Sequence, residues 1–114
     1  MKLYSTNDKS IRVSLKEAIT RGLAEDGGLY MPTEIPVLPA EFFANIQNLS
    51  FQEQAYTVAQ ALIGDDIPKE DLRLIVNDAV NFPAPVVNIH QNIHTLELFH
   101  GPTLAFKDFG GRFM

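Results

Sequence analysis

The stretch Ser50-Phe-Gln-Glu-Gln-Ala-Tyr-Thr-Val-Ala-Gln-Ala-Leu-Ile-Gly64 decides how the rest of the chain is read. Ser50 and Glu53 have the spacing of a capping box, in which hydroxyl and carboxylate each satisfy a free amide of the first helical turn. Behind them Phe51, Ala55, Val58, Ala59, Leu62 and Ile63 fall on one face, and Gly64 ends the run. Downstream, Pro68 suits a first turn, Glu70 and Asp71 sit where the helix dipole favours acids, and Leu72, Ile75, Val76 and Ala79 form a second apolar stripe. Upstream, Ser14-Leu15-Lys16-Glu17 repeats the capping box before Leu15, Ala18 and Ile19, with Gly22 or Gly27-Gly28 to end that helix, and Ala40 to Ile46 makes one short helix. Lys2 to Ser5 reads as a brief strand. Val86 to His90 and Ile93 to Phe99 read as two β-rich runs around a Gln91-Asn92 turn. Three prolines between Pro32 and Pro39 hold that segment extended on the surface. The pattern predicts an α+β fold, with three main helices packed on a small, mainly antiparallel sheet.

The chain has 114 residues, which is one average domain, and no cysteine, which excludes a disulfide framework or thiolate metal site. Its net charge of -5 is opposite in sign to a non-specific nucleic-acid binder, so no nucleic-acid partner is expected. No apolar run approaches the roughly 18 residues of a membrane span, and the first residues lack the apolar core of a secretion signal. These features fit a soluble, cytoplasmic protein without a membrane partner. The Asn48-Leu49-Ser50 sequon is then incidental.

Three groups invite chemical readings. His90, His94 and His100 straddle a predicted turn and lack a helix to align them, so loop or surface histidines are favoured over a metal site. Asp108-Phe109-Gly110 matches a kinase magnesium motif by letters, but no His-Arg-Asp loop or glycine-rich strand turn precedes it. Lys107 follows a Gly-Pro loop among Leu104, Ala105, Phe106 and Phe109, near a helix start, where apolar walls and a positive dipole end disfavour ammonium. A neutral amine there could attack an aldehyde cofactor. Composition and spacing alone nevertheless favour a lysine whose stem lies on apolar surface with its charge in water.

The segment Leu96-Glu-Leu-Phe-His-Gly-Pro-Thr-Leu-Ala-Phe-Lys-Asp-Phe-Gly-Gly-Arg-Phe-Met114 resembles the pyridoxal-phosphate lysine motif of the threonine synthase family. Ser14 to Met31, ending in Gly-Leu-Ala-Glu-Asp-Gly-Gly-Leu-Tyr-Met-Pro32, and Phe82-Pro-Ala-Pro-Val86 resemble the same family's amino-terminal domain. The resemblance implies a fold-type-II pyridoxal-phosphate enzyme, with residues 1–95 as its amino-terminal domain and 96–114 as the truncated start of its catalytic domain. It implies that Lys107 forms the Schiff base with pyridoxal 5'-phosphate, with Phe106, Asp108 and Gly101-Pro102-Thr103 shaping its surroundings. It further implies a lyase of threonine biosynthesis that converts O-phospho-L-homoserine and water to L-threonine and phosphate. The alternatives are a threonine-synthase-like phospho-lyase and a non-catalytic α+β binding module.

Members of that family continue for several hundred residues, which carry the cofactor-phosphate loop and most substrate-phosphate ligands. The remainder of the chain is therefore the expected partner, and the 114 residues alone are expected to be inactive. Phe106, Phe109 and Phe113 have the i, i+3, i+7 spacing of one helix face. They and Met114 are expected to be disordered, or paired with another copy, for want of a surface to cover them.

Overall fold

In the computed structural model, which describes residues 1–114, both capping boxes form. Ser50 Oγ accepts the Glu53 amide at 3.2 Å while Glu53 accepts the Ser50 amide at 2.7 Å. Ser14 and Glu17 exchange the same pair at 3.2 and 3.0 Å. Each box satisfies amide groups that a helix start leaves free. The elements run β1 (Lys2–Ser5), β2 (Arg12–Ser14), α1 (Leu15–Arg21), β3 (Tyr30–Pro32), α2 (Ala40–Asn45), α3 (Phe51–Ile63), α4 (Lys69–Ala79), β4 (Val86–His90), β5 (Ile93–Leu96) and α5 (Asp108–Phe113). A 3-10 turn, Ile46–Asn48, follows α2.

The fold is α+β as expected, with its antiparallel pairing divided between two sheets. In the first, of order β2-β1-β3, Leu3 faces Val13 on one side and Pro32 on the other. Leu3, Val13 and Ala18 bury themselves there, so α1 is the helix that covers this sheet. The second sheet is the β4-β5 hairpin, with Val86 opposite Leu96 and an irregularity between Asn88 and His90. Of the three main helices, α3 and α4 pack chiefly on one another. Leu72, Val76 and Ala79 of α4 are fully buried against Ala59 of α3 and Val80, which is the stripe read from the sequence. Arg73 lies over the Tyr56 ring, 4.0 Å from its centroid, and Gln52 donates to the Val80 carbonyl at 2.8 Å. The amino-terminal ammonium pairs with Asp66 and so ties the first sheet to the α3–α4 connection.

The expectation that the carboxyl-terminal apolar residues lack a surface to cover them is not met at Phe109 and Phe113. Helix α5 lies against α4: Phe113 packs on the α3–α4 core, and Phe109 meets Phe51 and Phe82 with ring centroids 5.9 and 4.4 Å apart. Arg112 donates to the Asp78 carbonyl at 2.9 Å, near the end of α4, where carbonyls lack helical partners. Phe106 does not share this face. It precedes the helix and is exposed, as is Met114.

Much apolar surface stays uncovered. The radius of gyration is 16.4 Å, against about 13 Å for a compact chain of this length. The accessible surface is 8103 Å², against about 6,200 Å² for a compact monomer of this mass. Two places hold a large share of the exposed hydrophobic residues. Both faces of the hairpin are open, with Val86, Ile89, Ile93 and Leu96 more than half exposed. Between α2, α3 and α5 runs a cavity of about 560 Å³ whose lining is apolar except for Gln54.

Candidate functional site

Residues 101–107 form two successive tight turns that deliver the chain into α5. Leu104 donates to the Gly101 carbonyl at 3.1 Å and Asp108 to the Ala105 carbonyl at 3.0 Å. Leu104 carries the second of the two left-handed non-glycine backbones in the chain, with φ 61°, a conformation that costs a branched residue about 1 kcal/mol. Asp108, the first residue of α5, reaches back across both turns. One carboxylate oxygen accepts the Thr103 amide at 2.9 Å and the other the Thr103 hydroxyl at 2.5 Å. Gly101 is buried against that carboxylate, and a Cβ there would overlap it. The loop therefore closes around an acid that is only 7% exposed.

Lys107 sits between the loop and the helix. Its backbone is already helical, φ -63° and ψ -19°, and its carbonyl accepts the Gly111 amide at 2.8 Å. Successive helical residues are rotated by about 100°, so with Asp108 turned inward the Lys107 side chain projects to solvent. The apolar walls expected around this amine are not built by these 114 residues, because Leu104 and Phe106 are themselves 73% and 66% exposed. Asp108 directs its carboxylate into the loop. Sequence spacing missed that role, because capping rules look three residues back and this bond spans five. An exposed primary amine on a fixed backbone, with uncovered apolar residues close to it in sequence, fits the aldehyde and ring of pyridoxal phosphate.

The histidines lie elsewhere. His94 is within 3.1 Å of Asn88 on the hairpin, and His100 within 2.7 Å of Glu97.

The Thr103 hydroxyl bond, with the Thr103 amide assisting, holds the Asp108 carboxyl below its ordinary range. The Ser5 and Ser50 hydroxyls lead the same effect on Asp26 and Glu53. A depressed folded-state pKa contributes stability that is complete above the unfolded value, about 3.9 to 4.3, and is lost as pH falls through the lower folded value. The thermal midpoint is therefore expected to stay level from about pH 7 to 5 and to fall below about pH 4. Circular dichroism melts across that range check this; a midpoint still level at about pH 3 would contradict it.

The α+β unit is that of the amino-terminal region of a fold-type-II pyridoxal-phosphate enzyme. A family model described as threonine synthase N terminus matches residues 2–80. The chain belongs to the threonine synthase family, in its amino-terminal part. It is 46% identical over 114 residues to threonine synthase of Escherichia coli strain K12, covering 100% of this chain and 27% of that relative. The crystal structure of threonine synthase from Escherichia coli superposes with a TM-score of 0.92 over 99% of this chain and 26% of that one, at 45% identity. A PLP-bound threonine synthase from Brucella melitensis superposes at 0.85 over 95% of this chain and 24% of that one, at 40% identity. The chain thus spans about a quarter of the length of the relatives it matches.

Proposed function

We propose that these residues serve as the amino-terminal part of a cytoplasmic threonine synthase, which converts O-phospho-L-homoserine and water to L-threonine and phosphate. Residues 1–95 act as the amino-terminal domain and 96–114 open the catalytic domain. The observation that carries this reading is the lysine-bearing loop, in a chain related from end to end to threonine synthases. Pyridoxal phosphate supplies an electron sink for charge developing beside the substrate amine. Lys107 holds the cofactor through its amine and, once released by substrate, moves protons at the substrate α and β carbons. Leu104 and Phe106, close to Lys107 in sequence and exposed, offer apolar surface that excludes water once covered. The α1 layer and the hairpin present surface to the remainder of the chain, and the roughly 1,900 Å² of surface beyond that of a compact monomer exceeds the roughly 800 Å² that each partner gives to a standard protein interface.

Full-length protein given O-phospho-L-homoserine and pyridoxal phosphate is expected to release phosphate and form threonine in equal amounts, whereas residues 1–114 alone release none. Phosphate without threonine would mark a phospho-lyase and overturn the assignment.

A further inference from the structure

We propose that Asp108 is a positioning residue for Lys107: by clamping Thr103 from within the loop, it fixes the direction in which the Lys107 amine is presented. This rests on the reading of Lys107 as the cofactor lysine. Three observations carry it. The carboxylate takes both bonds that Thr103 can donate, at 2.9 and 2.5 Å, across a five-residue span that ends beside Lys107. Leu104, next to Thr103, holds a left-handed backbone at φ 61° although its side chain is 73% exposed and gains little by packing. Such a conformation persists only where its surroundings impose it, and the clamp on one side with the Ala105–Asp108 turn on the other imposes it here. Finally, Gly101 leaves room for the carboxylate where any side chain would overlap it, so the loop is shaped around the acid.

Without the clamp Leu104 relaxes toward an ordinary backbone, and the turn that sets the Lys107 backbone shifts with it. The amine then samples directions in which it cannot meet the cofactor aldehyde. An ångström of misplacement costs up to about a hundredfold in rate.

The test uses full-length protein stripped of cofactor. Pyridoxal phosphate is added, and the rate at which borohydride fixes it to Lys107 is followed by peptide mass. Thr103→Val removes the hydroxyl bond at nearly constant shape, Asp108→Asn removes the charge, and Thr103→Ser keeps both bonds. Thr103→Val and Asp108→Asn are expected to slow fixation about tenfold or more, with Thr103→Ser close to the parent. If Asp108→Asn does not fold, Thr103→Val decides alone. A clamp that is merely structural would lower the unfolding midpoint yet leave the fixation rate of folded protein unchanged, and that result overturns the proposal. Equal slowing in Thr103→Ser overturns it too. Cofactor fixed at the parental level in Lys107→Ala would instead overturn the reading of Lys107 itself.

Discussion

Lys107→Ala in the full-length protein is expected to lose the visible absorption band of lysine-bound pyridoxal phosphate and to lower threonine formation by at least about a thousandfold. Removing one positioned proton-transfer group costs roughly 10² to 10⁴ in rate, and this amine is also the covalent tether. Little else should change. Lys107 is exposed and accepts no burden in either core, so the variant should fold with an unaltered melting curve. An unchanged band would refute the assignment, whereas loss of band and fold together would leave Lys107→Arg, which keeps the charge but cannot form the tether, to decide it.

Gly28→Ala is expected to open the first sheet by about 1 to 3 kcal/mol, the usual cost of forcing a methyl group into filled space. Gly28 is buried where the loop after α1 crosses β1. A Cβ there would overlap the Ser5 hydroxyl and come within 2.9 Å of the Asn7 nitrogen and 3.0 Å of Asp26 Oδ1. None of these can retreat cheaply. Ser5 is fully buried, its hydroxyl lies 2.7 and 2.8 Å from the two Asp26 oxygens, and Asp26 also accepts the Gly28 amide at 2.9 Å. The Thr6 amide, which donates to the Leu29 carbonyl at 2.9 Å, reports on the opening. Its hydrogen exchange in full-length protein should accelerate roughly 5- to 160-fold; an unchanged rate would show that the added methyl is accommodated without cost.

The parts of the fold legible in the sequence were those fixed by local rules. Ser14, Ser50 and the Leu72-Ile75-Val76-Ala79 stripe act through neighbours three or four residues away, and each behaves as its spacing implies. Strands β2 and β3 were missed because each is three residues long and is held by pairing to β1 rather than by its own pattern. Ile19 fits the expected α1 stripe yet remains about half exposed, since apolar periodicity marks a face and not what covers it. The same limit hid the surroundings of Lys107. Its place at a helix start could be read from the Gly-Pro loop and the phenylalanines, but the inward turn of Asp108 depends on Thr103 five residues away. Phe106 shared the spacing of Phe109 and Phe113 without sharing their helix, because the clamped turns delay α5 to Asp108.

The open hairpin matters most while the protein is being made. In a full-length chain the remaining three-quarters, about 300 residues at roughly 5 to 20 per second, takes on the order of 15 to 60 seconds to be synthesised. Helices α3 and α4 touch partners near in sequence and can assemble meanwhile. Strands β4 and β5 pair only with each other, and a lone two-stranded ribbon is marginal in water. Throughout that wait its edges could pair with another nascent chain. The register break between Asn88 and His90 interrupts the ladder, as irregularities that discourage edge-to-edge pairing do.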